Sequence, residues 1–367
     1  ILPEVIEEMN KSFEEHWGNP SSTHRQGQKS RAAIEKSRET IAKLLQVDAK
    51  EIIFTSGGAE SNNLILRGAL KVNESKGKHL ITSKIEHSTV LKTCQALEKE
   101  GYEVTYIDVT ERGVIDPEQL KNAIRNDTVA ISVMYVNNET GVVQPIDEIA
   151  KMIEGKGIVL HTDAIQGVGK EMILPKKQGI HALSAAAHKF YGPKGTGFLY
   201  LDQNYMIEKE ITGGSQERNR RSGTENVHGI VGMAKALEIV YSDMEEEQAK
   251  EKEMQIYLEE ALKEEICNIK INCGNSRRIS SVVNITLEDC NVQTLMVALD
   301  MEGICVSGGS ACMSGAMETS HVLKAMGASE EDLKSSIRVS IGRYNTKDEI
   351  DIFIQKLKEI VARERAK

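Results

Sequence analysis

The sequence of 367 residues predicts an α/β fold: a large domain with a mostly parallel sheet between helices, then a smaller α+β domain. Two observations predict it. Short apolar segments alternate with helix-like segments through the first two-thirds of the chain, which is typical of a buried parallel sheet. A long charged helical stretch at 233–265 then separates this region from the rest. We expect domains over 1–245 and 246–367, with the first helix free to pack on the smaller one.

The predicted elements of the large domain are apolar strands with helices between them. The strand segments are EIIFTS (51–56), HLITS (79–83), YEVTYID (102–108), VAISVMYV (129–136), GIVLHTD (157–163) and TGFLYLD (196–202). SRAAIEKSRETIAKLL and STVLKTCQALEKE have the apolar spacing of amphipathic helices. In the smaller domain, ISSVVNITL predicts a strand and TKDEIDIFIQKLKEIVARER predicts a closing helix.

Composition and charge exclude several classes of protein. A net charge of −9 without a basic run argues against nucleic acid or an anionic membrane as the main partner. No stretch approaches the ~20 apolar residues of a spanning helix, and the opening ILPEVIEEMNKSFEE resembles a charged amphipathic helix rather than a signal peptide. We therefore expect a cytoplasmic protein. The start at Ile1, without Met, suggests that an N-terminal segment is missing.

The six cysteines are too sparse for a disulfide framework and lack the CxxC spacing of metal sites. We expect most of them to be buried, reduced thiols, and no metal site. Cys305, in the apolar run GICV, is expected to be buried and inert. Cys312 differs, because VSGGSACMSGAMETSHVL (306–323) surrounds it with glycine and serine. A reactive thiol on a flexible segment and a small thiol in a tight turn both fit this composition.

Polar residues follow several predicted strands, at the edge where such sheets bind ligands. A glycine pair and a helix follow EIIFTS, so main-chain N–H groups at Gly58 and Ala59 can converge on a phosphate. Asp163 ends another strand, and Lys189 comes next to His188 about one strand unit later. A pyridoxal phosphate site requires a lysine, an acid for the pyridinium nitrogen and donors for the phosphate.

Two further residues, His87 and Asn138, also follow predicted strands. An imidazole there suits ring stacking and proton relay, and an asparagine can donate to the cofactor or orient a substrate. Each residue also has a plainer interpretation. The glycine pair can be a turn, Asp163 a helix N-cap, Lys189 a solvated charge, His87 a surface or capping residue and Asn138 a turn residue.

Eight motifs occur in the order and at about the spacing of the cysteine desulfurases of the NifS/IscS type. They are FTSGGAESNN, EHSTV, YVNNETGVVQP, HTDAIQGVGK, HKFYGPKGTG, RSGTENVHGIVG, GSACMSG and SSIRVSIGRY. The sequence resembles this family nearly from end to end. The family usually opens with a short strand and an NAATT-like stretch. The sequence here starts at ILPEV and contains no counterpart of that stretch.

The resemblance implies the fold type I of transferases that depend on pyridoxal 5'-phosphate, with seven strands in the large sheet. Lys189 matches the lysine that binds this cofactor covalently, Asp163 the partner of its pyridinium nitrogen, and Gln166 the residue bonded to its phenolic oxygen. His87 matches the imidazole that stacks on the ring, and Asn138 the asparagine near the ring and the substrate.

The remaining implied roles concern the phosphate, the substrate and the sulfur. The groups on the phosphate are the main chain at Gly58 and Ala59 and the side chains of His188 and Thr224. Thr224 matches a residue that reaches the cofactor of the other subunit, which implies a homodimer. Arg338 matches the arginine that binds the substrate carboxylate, a role that suits its bidentate fork. Cys312 matches the catalytic cysteine.

The implied activity converts L-cysteine to L-alanine and transfers sulfur to Cys312 as a persulfide. Lys189 would remove the Cα proton and His87 would shuttle protons. The persulfide would serve a sulfur-acceptor protein, such as an iron–sulfur scaffold or another thiolation acceptor. Two alternatives remain: a selenocysteine lyase or aminotransferase of the same fold, which needs no loop thiol, and a cofactor-poor scaffold protein.

Two positions depart from the family's pattern. Ala59 stands where the family usually has threonine, and Ala186 where it usually has serine. Both hydroxyls normally bond the phosphate, and a hydrogen bond to a charged group contributes ~1.5–3 kcal/mol. We therefore expect the cofactor to bind, but more weakly.

Overall fold

A computed structural model of the chain describes residues 1–309 and 319–366. These residues form two compact units. The first comprises 1–107, 117–135 and 144–244, and the second 108–116, 136–143, 245–309 and 319–366. The division into domains over 1–245 and 246–367 stays a prediction.

The first unit is built on a seven-stranded sheet. Its strands are β1 (Ile52–Thr55), β2 (His79–Ser83), β3 (Glu103–Ile107), β4 (Thr128–Ser132), β5 (Val159–Asp163), β6 (Ala182–Ala186) and β7 (Gly197–Leu201). Their order is β1-β7-β6-β5-β4-β2-β3. β7 runs antiparallel to both of its neighbours, and every other pair is parallel. The predicted α/β fold with a mostly parallel sheet is confirmed.

Six of the seven strands are buried along their whole length, and only the edge strand β3 is partly exposed. This burial explains the apolar runs from which the strands are predicted. β6 is the strand that the apolar pattern misses. Its sequence ALSAA has no β-branched or aromatic residue, so the strand depends on its place between β5 and β7 rather than on its own propensity.

Helices surround this sheet. They are α1 (Pro3–Glu15), α2 (Arg25–Leu45), α3 (Gly58–Val72), α4 (Ser88–Lys99), α5 (Pro117–Ala123), α6 (Ile146–Ile153), α7 (Gln216–Asn219) and α8 (Val227–Ser242). α1 and α2 both pack against α8, so the first helix belongs to the first unit. α3 lies against β4 to β7. Within the described ranges, no helix is long and apolar enough to cross a membrane.

The second unit has a three-stranded antiparallel sheet in the order β10-β9-β8. Its elements are α9 (Met244–Glu265), β8 (Ile269–Asn272), β9 (Val282–Leu287), α10 (Val292–Met301), α11 (His321–Ala325), α12 (Glu330–Lys334), β10 (Ser336–Ser340) and α13 (Lys347–Arg365). One hydrophobic core joins α9, α10, α13 and the sheet. α13 begins with a capping box between Thr346 and Glu349, as its sequence TKDE predicts.

The described cysteines are less uniformly buried than predicted. Cys94 and Cys290 are buried, Cys273 is partly buried, and Cys267 and Cys305 are exposed. The prediction that Cys305 is buried is therefore wrong. Its neighbours Ile304 and Val306 pack against the core of the second unit, and side chains alternate along a strand-like segment, so the residue between them points outward.

Candidate active site

The turn between β1 and α3 lies very close to neighbouring segments, which only glycine allows. α3 begins at Gly58, and Gly57 before it has φ +150°, a conformation that favours glycine. A Cβ on Gly58 would lie 1.9 Å from Ile165 Cδ1, and a Cβ on Gly197 would lie 2.7 Å from Gly57 Cα. The first N–H groups of a helix have no acceptor within it, so this end of α3 suits an anion.

Asp163 is the last residue of β5 and is only 3% exposed. Its Oδ2 accepts a hydrogen bond from Asn62 Nδ2 (2.7 Å), and its Oδ1 accepts one from the N–H of Ile165 (3.1 Å). Burial raises the pKa of Asp163. The two hydrogen bonds oppose this shift, and so do the charges of His87 and Lys189, which therefore lie within electrostatic range of the carboxylate.

His87 is connected to Asp163 through two further side chains. Asn62 Nδ2 donates to Thr89 Oγ1 (3.0 Å), and Thr89 Oγ1 lies 2.9 Å from His87 Nδ1. The N–H of Thr89 also donates to His87 Nδ1 (3.2 Å), so His87 caps α4. Because Nδ1 accepts these bonds, the neutral ring carries its proton on Nε2.

Glu86, next to His87 in the chain, is a buried acid between the ends of two strands. Its Oε1 accepts from Ser83 Oγ (2.6 Å) and from the N–H of Met134 (3.0 Å). The pKa of Glu86 is raised to about 8. Burial and the charge of Asp163 raise it, and the two hydrogen bonds oppose the shift. Glu86 is therefore protonated around neutral pH and ties together the segments that follow β2 and β4.

Lys189 and His188 follow β6 in a short 3₁₀ turn, and both are exposed. Although His188 is exposed, neighbouring atoms partly desolvate its ring, and this together with the charges of Lys189 and Lys194 lowers its pKa, which favours the neutral ring. Gln166 is partly buried after β5, and its Oε1 accepts from Lys170 Nζ (3.1 Å). The amide nitrogen is then the group of Gln166 suited to donate to a ligand.

Thr224 is exposed and lies on a segment that is fastened to the start of α3. Arg221, three residues earlier, donates to both carboxylate oxygens of Glu60 in the first turn of α3 (2.7 and 3.2 Å). Ser222 Oγ donates to Gly214 O (2.7 Å). These contacts hold Arg221 and Ser222 in place, and Thr224, two residues after Ser222, is exposed.

The second unit holds Asn138 and Arg338. Arg338 Nη1 donates to the main-chain oxygen of Asn138 (2.8 Å), and its Nη2 donates to Ser307 Oγ (3.2 Å). Both expected residues of this unit therefore meet. Cys312 lies outside the described residues.

The network also contains residues that motif analysis does not select. Asn62 and Thr89 connect Asp163 with His87, and Glu86 supports the segment before His87. All three lie inside the quoted motifs FTSGGAESNN and EHSTV, so the motifs mark the right segments without indicating which polar side chains meet. In the described part of the chain, no group of His, Cys, Asp and Glu side chains could hold a metal ion.

Comparison with known proteins gives a consistent result. The family model for aminotransferase class-V matches residues 1–353. The chain is 43% identical to a cysteine desulfurase IscS of Dictyoglomus turgidum, over 100% of this chain and 93% of the relative. It is 40% identical to a putative cysteine desulfurase IscS 1 of Bacillus subtilis, over 98% and 95%. Among solved structures, a NifS-like protein superposes with a TM-score of 0.93 and 35% identity, over 99% of this chain and 96% of that one.

Proposed function

Because the chain belongs to the aminotransferase class-V family, and within it to the NifS/IscS-type cysteine desulfurases, we propose that it converts L-cysteine to L-alanine and transfers the sulfur to Cys312. The family predicted from the eight motifs is confirmed. One observation in the structure carries the proposal: the buried Asp163 is connected to His87 through two hydrogen-bonded side chains, and the charge of Lys189 lowers the pKa of the Asp163 carboxyl. An acid, an imidazole and an amine are thereby grouped in one unit.

The residues of the first unit suit pyridoxal 5'-phosphate. Burial raises the pKa of Asp163, and a cationic ring nitrogen beside it would lower that pKa and favour the ionised carboxylate. The start of α3 suits the phosphate. A Cβ on Gly57 would meet no described atom within 4 Å, so there is space beside the turn.

Each expected cofactor contact can be assigned to a residue of this chain. Lys189 would bind the aldehyde carbon, Asp163 the ring nitrogen and Gln166, through its amide nitrogen, the phenolic oxygen. The ring of His87 would stack on the cofactor. The phosphate would be held by the main chain at Gly58 and Ala59 and by the side chains of His188 and Thr224.

The cofactor, when bound, supplies an electron-withdrawing ring that makes the Cα–H bond of the substrate acidic and the substrate sulfur open to attack. Arg338 would bind the substrate carboxylate, with Asn138 beside it. The amine of Lys189 would take the Cα proton, and His87 Nε2–H would supply a proton.

Cys312 would receive the sulfur as a thiolate nucleophile. An S–S bond forms while the Cβ–S bond of the substrate breaks, and protons complete the methyl group of alanine. The sulfur is oxidised to the level of a persulfide and Cβ is reduced, so the reaction needs no external oxidant. The persulfide would then pass to an acceptor protein.

A homodimer is part of the proposal, with Thr224 contacting the cofactor phosphate in the partner subunit. The exposure of Thr224 on a fastened segment supports this. The acceptor would be a protein such as an iron–sulfur scaffold, and neither nucleic acid nor a membrane is an expected partner. A cytoplasmic location stays a prediction.

The test is incubation of the purified protein with pyridoxal 5'-phosphate and L-cysteine, with alanine and Cys312-bound persulfide measured together. In a single turnover, without a thiol to remove the sulfur, we expect the two products in equal amounts. Cys312→Ala should abolish both, and Cys305→Ala is the matched control, which should retain both. Turnover by Cys312→Ala would instead favour a lyase or aminotransferase.

A further inference from the structure

Gly309 and Ser320, described residues on the two sides of the segment that carries Cys312, lie next to each other in the second unit. A Cβ on Gly309 would lie 3.0 Å from both the main-chain nitrogen and the Cβ of Ser320. The described chain before Cys312 therefore ends beside Ser320, which follows Cys312. The contacts that hold these two positions hold the two ends of the Cys312 segment.

The first end is held by β10. Ser307 pairs with Arg338 through both main-chain hydrogen bonds, 3.1 Å for Ser307 N to Arg338 O and 2.6 Å for Arg338 N to Ser307 O. The Arg338 side chain adds a bond to Ser307 Oγ and another to Asn138 O. The first end is thereby connected to the segment after Val136.

The second end is held by Glu139, the residue after Asn138. Ser320 Oγ donates to Glu139 Oε2 (2.5 Å) and accepts from the N–H of Leu323, so that Ser320 caps the start of α11. Glu139 is 1% exposed and Ser320 2%. Two adjacent residues are thus connected to the two ends, Asn138 to the first end through Arg338 and Glu139 directly to the second.

The Glu139 backbone is itself fixed. Its N–H donates to Asn137 Oδ1 (2.9 Å), and its carbonyl oxygen accepts from Asn284 Nδ2 in β9 (3.1 Å). The other carboxylate oxygen, Oε1, is buried without a donor among residues 1–309 and 319–366. Burying a half-bonded carboxylate is unfavourable for stability, so packing alone does not explain a glutamate here.

We propose that Glu139 is a positioning residue for sulfur transfer, which sets where the Cys312 segment returns to the fold while Arg338 sets where it leaves. This rests on the proposed desulfurase function. Glu139 need not touch substrate or cofactor to do so. Misplacement of a reacting group by about 1 Å can lower a rate by about 10²-fold, so loss of this anchor should affect transfer to Cys312 rather than binding of L-cysteine.

The variants are Glu139→Ala, which removes the anchor, and Glu139→Gln, which keeps an acceptor for Ser320. Glu247→Gln is the matched control, because Glu247 pairs with Arg343 in the same unit without contacting either end of the segment. The measurements are kcat and KM for alanine formation, thermal unfolding, and hydrogen exchange at the amides of Leu323 and Arg338.

For Glu139→Ala we expect kcat to fall about 10- to 100-fold with KM within about twofold of wild type, and faster exchange at Leu323 but not at Arg338. Glu139→Gln should recover most of kcat. A wild-type kcat in Glu139→Ala overturns the proposal. An equal fall in kcat and unfolding temperature in both variants, with the same change in KM, also overturns it. If wild type makes no alanine, the proposed function fails, while the exchange rates at Leu323 still decide whether Glu139 is the anchor.

Discussion

Arg38 and Glu217 form a buried, bidentate ion pair at the edge of the large sheet. Arg38 Nη1 and Nη2 donate to Glu217 Oε2 and Oε1 at 2.7 and 2.8 Å, and the two side chains are 4% and 2% exposed. The pair also bonds the edge strand β1: Arg38 donates to Ile52 O (2.8 Å), and Glu217 accepts from Phe54 N–H (2.9 Å). The ion pair thus bonds main-chain groups at the open edge of β1 that a further strand would otherwise bond.

The ion pair also stabilises a short backbone segment that has an unfavourable conformation. Glu217, Arg218 and Asn219 have φ of 47°, 56° and 65°, a left-handed conformation that costs free energy in residues other than glycine. Burial lowers the pKa of Arg38, but Glu217 more than compensates, so the pKa lies above its ordinary value. The segment leading to Thr224 is therefore held by a charged pair.

We predict that Arg38→Met lowers the free energy of unfolding by ~3–5 kcal/mol, because the Glu217 carboxylate loses its partner inside the protein. Urea unfolding at pH 7 measures this. Lys71→Met is the control, since Lys71 pairs with Glu74 on the surface, and it should not change stability measurably. Equal midpoints for the two variants would contradict the prediction.

Glu86 should make the stability of the cofactor-free protein depend on pH. Its pKa is about 8 in the folded protein, above the ordinary 4.5. Between these values the unfolded chain has lost a proton that the folded protein keeps, so stability falls as pH rises from about 4.5 to about 8. Below 4.5 both states are protonated and this contribution is constant.

Glu86→Gln should flatten this dependence, because an amide keeps an acceptor for Ser83 and Met134 and has no proton to lose. With ~1.4 kcal/mol per pKa unit, the variant should gain on the order of a few kcal/mol relative to wild type between pH 5 and 8.5. Unfolding by urea across this range is the measurement, with Glu74→Gln as the surface control. Parallel pH curves for wild type and Glu86→Gln would refute the assignment.

Restoring the two hydroxyls of the family should tighten cofactor binding. Ala186 is buried at the end of β6, and its Cβ lies 3.9 Å from where a Cβ of Gly58 would be, so it adjoins the start of α3. We expect Ala59→Thr with Ala186→Ser to lower the Kd of pyridoxal 5'-phosphate at least tenfold, at ~1.5–3 kcal/mol for each bond to the phosphate. Fluorescence titration of the apoprotein checks this, with Ala59→Val as the control without a hydroxyl. An unchanged Kd would show that neither position faces the phosphate.

Arg338→Lys should raise KM for L-cysteine by about tenfold or more. It should also lower kcat, because the bond from Arg338 to Ser307 holds one end of the Cys312 segment. An ammonium group cannot form the bidentate contact with a carboxylate, nor bond Asn138 O and Ser307 Oγ together. Steady-state kinetics at saturating cofactor measure the two constants. Arg343→Lys, which keeps its charge beside Glu247, should retain both. A fall in kcat with an unchanged KM would show that Arg338 holds the Cys312 segment without binding the substrate carboxylate.

Prediction from sequence succeeds where the signal is local. The strands HLITS and EIIFTS are found within a residue of their predicted ends, because strands that are buried along their whole length have continuous apolar runs. It fails at β6, whose alanines carry no strand signal, and at Cys305, where a short apolar run suggests burial but the cysteine is exposed.

The sequence by itself determined the fold class, the family and the motifs that hold the candidate site. Tertiary structure decided which polar side chains within and beyond those motifs meet: Asn62 with Asp163 across 101 residues, Glu217 with Phe54 across 163, and Ser320 with Glu139 across 181. The physical reason is that helix and strand periods arise from near neighbours in the chain. A hydrogen bond between distant residues leaves no such period, so only the folded chain shows it.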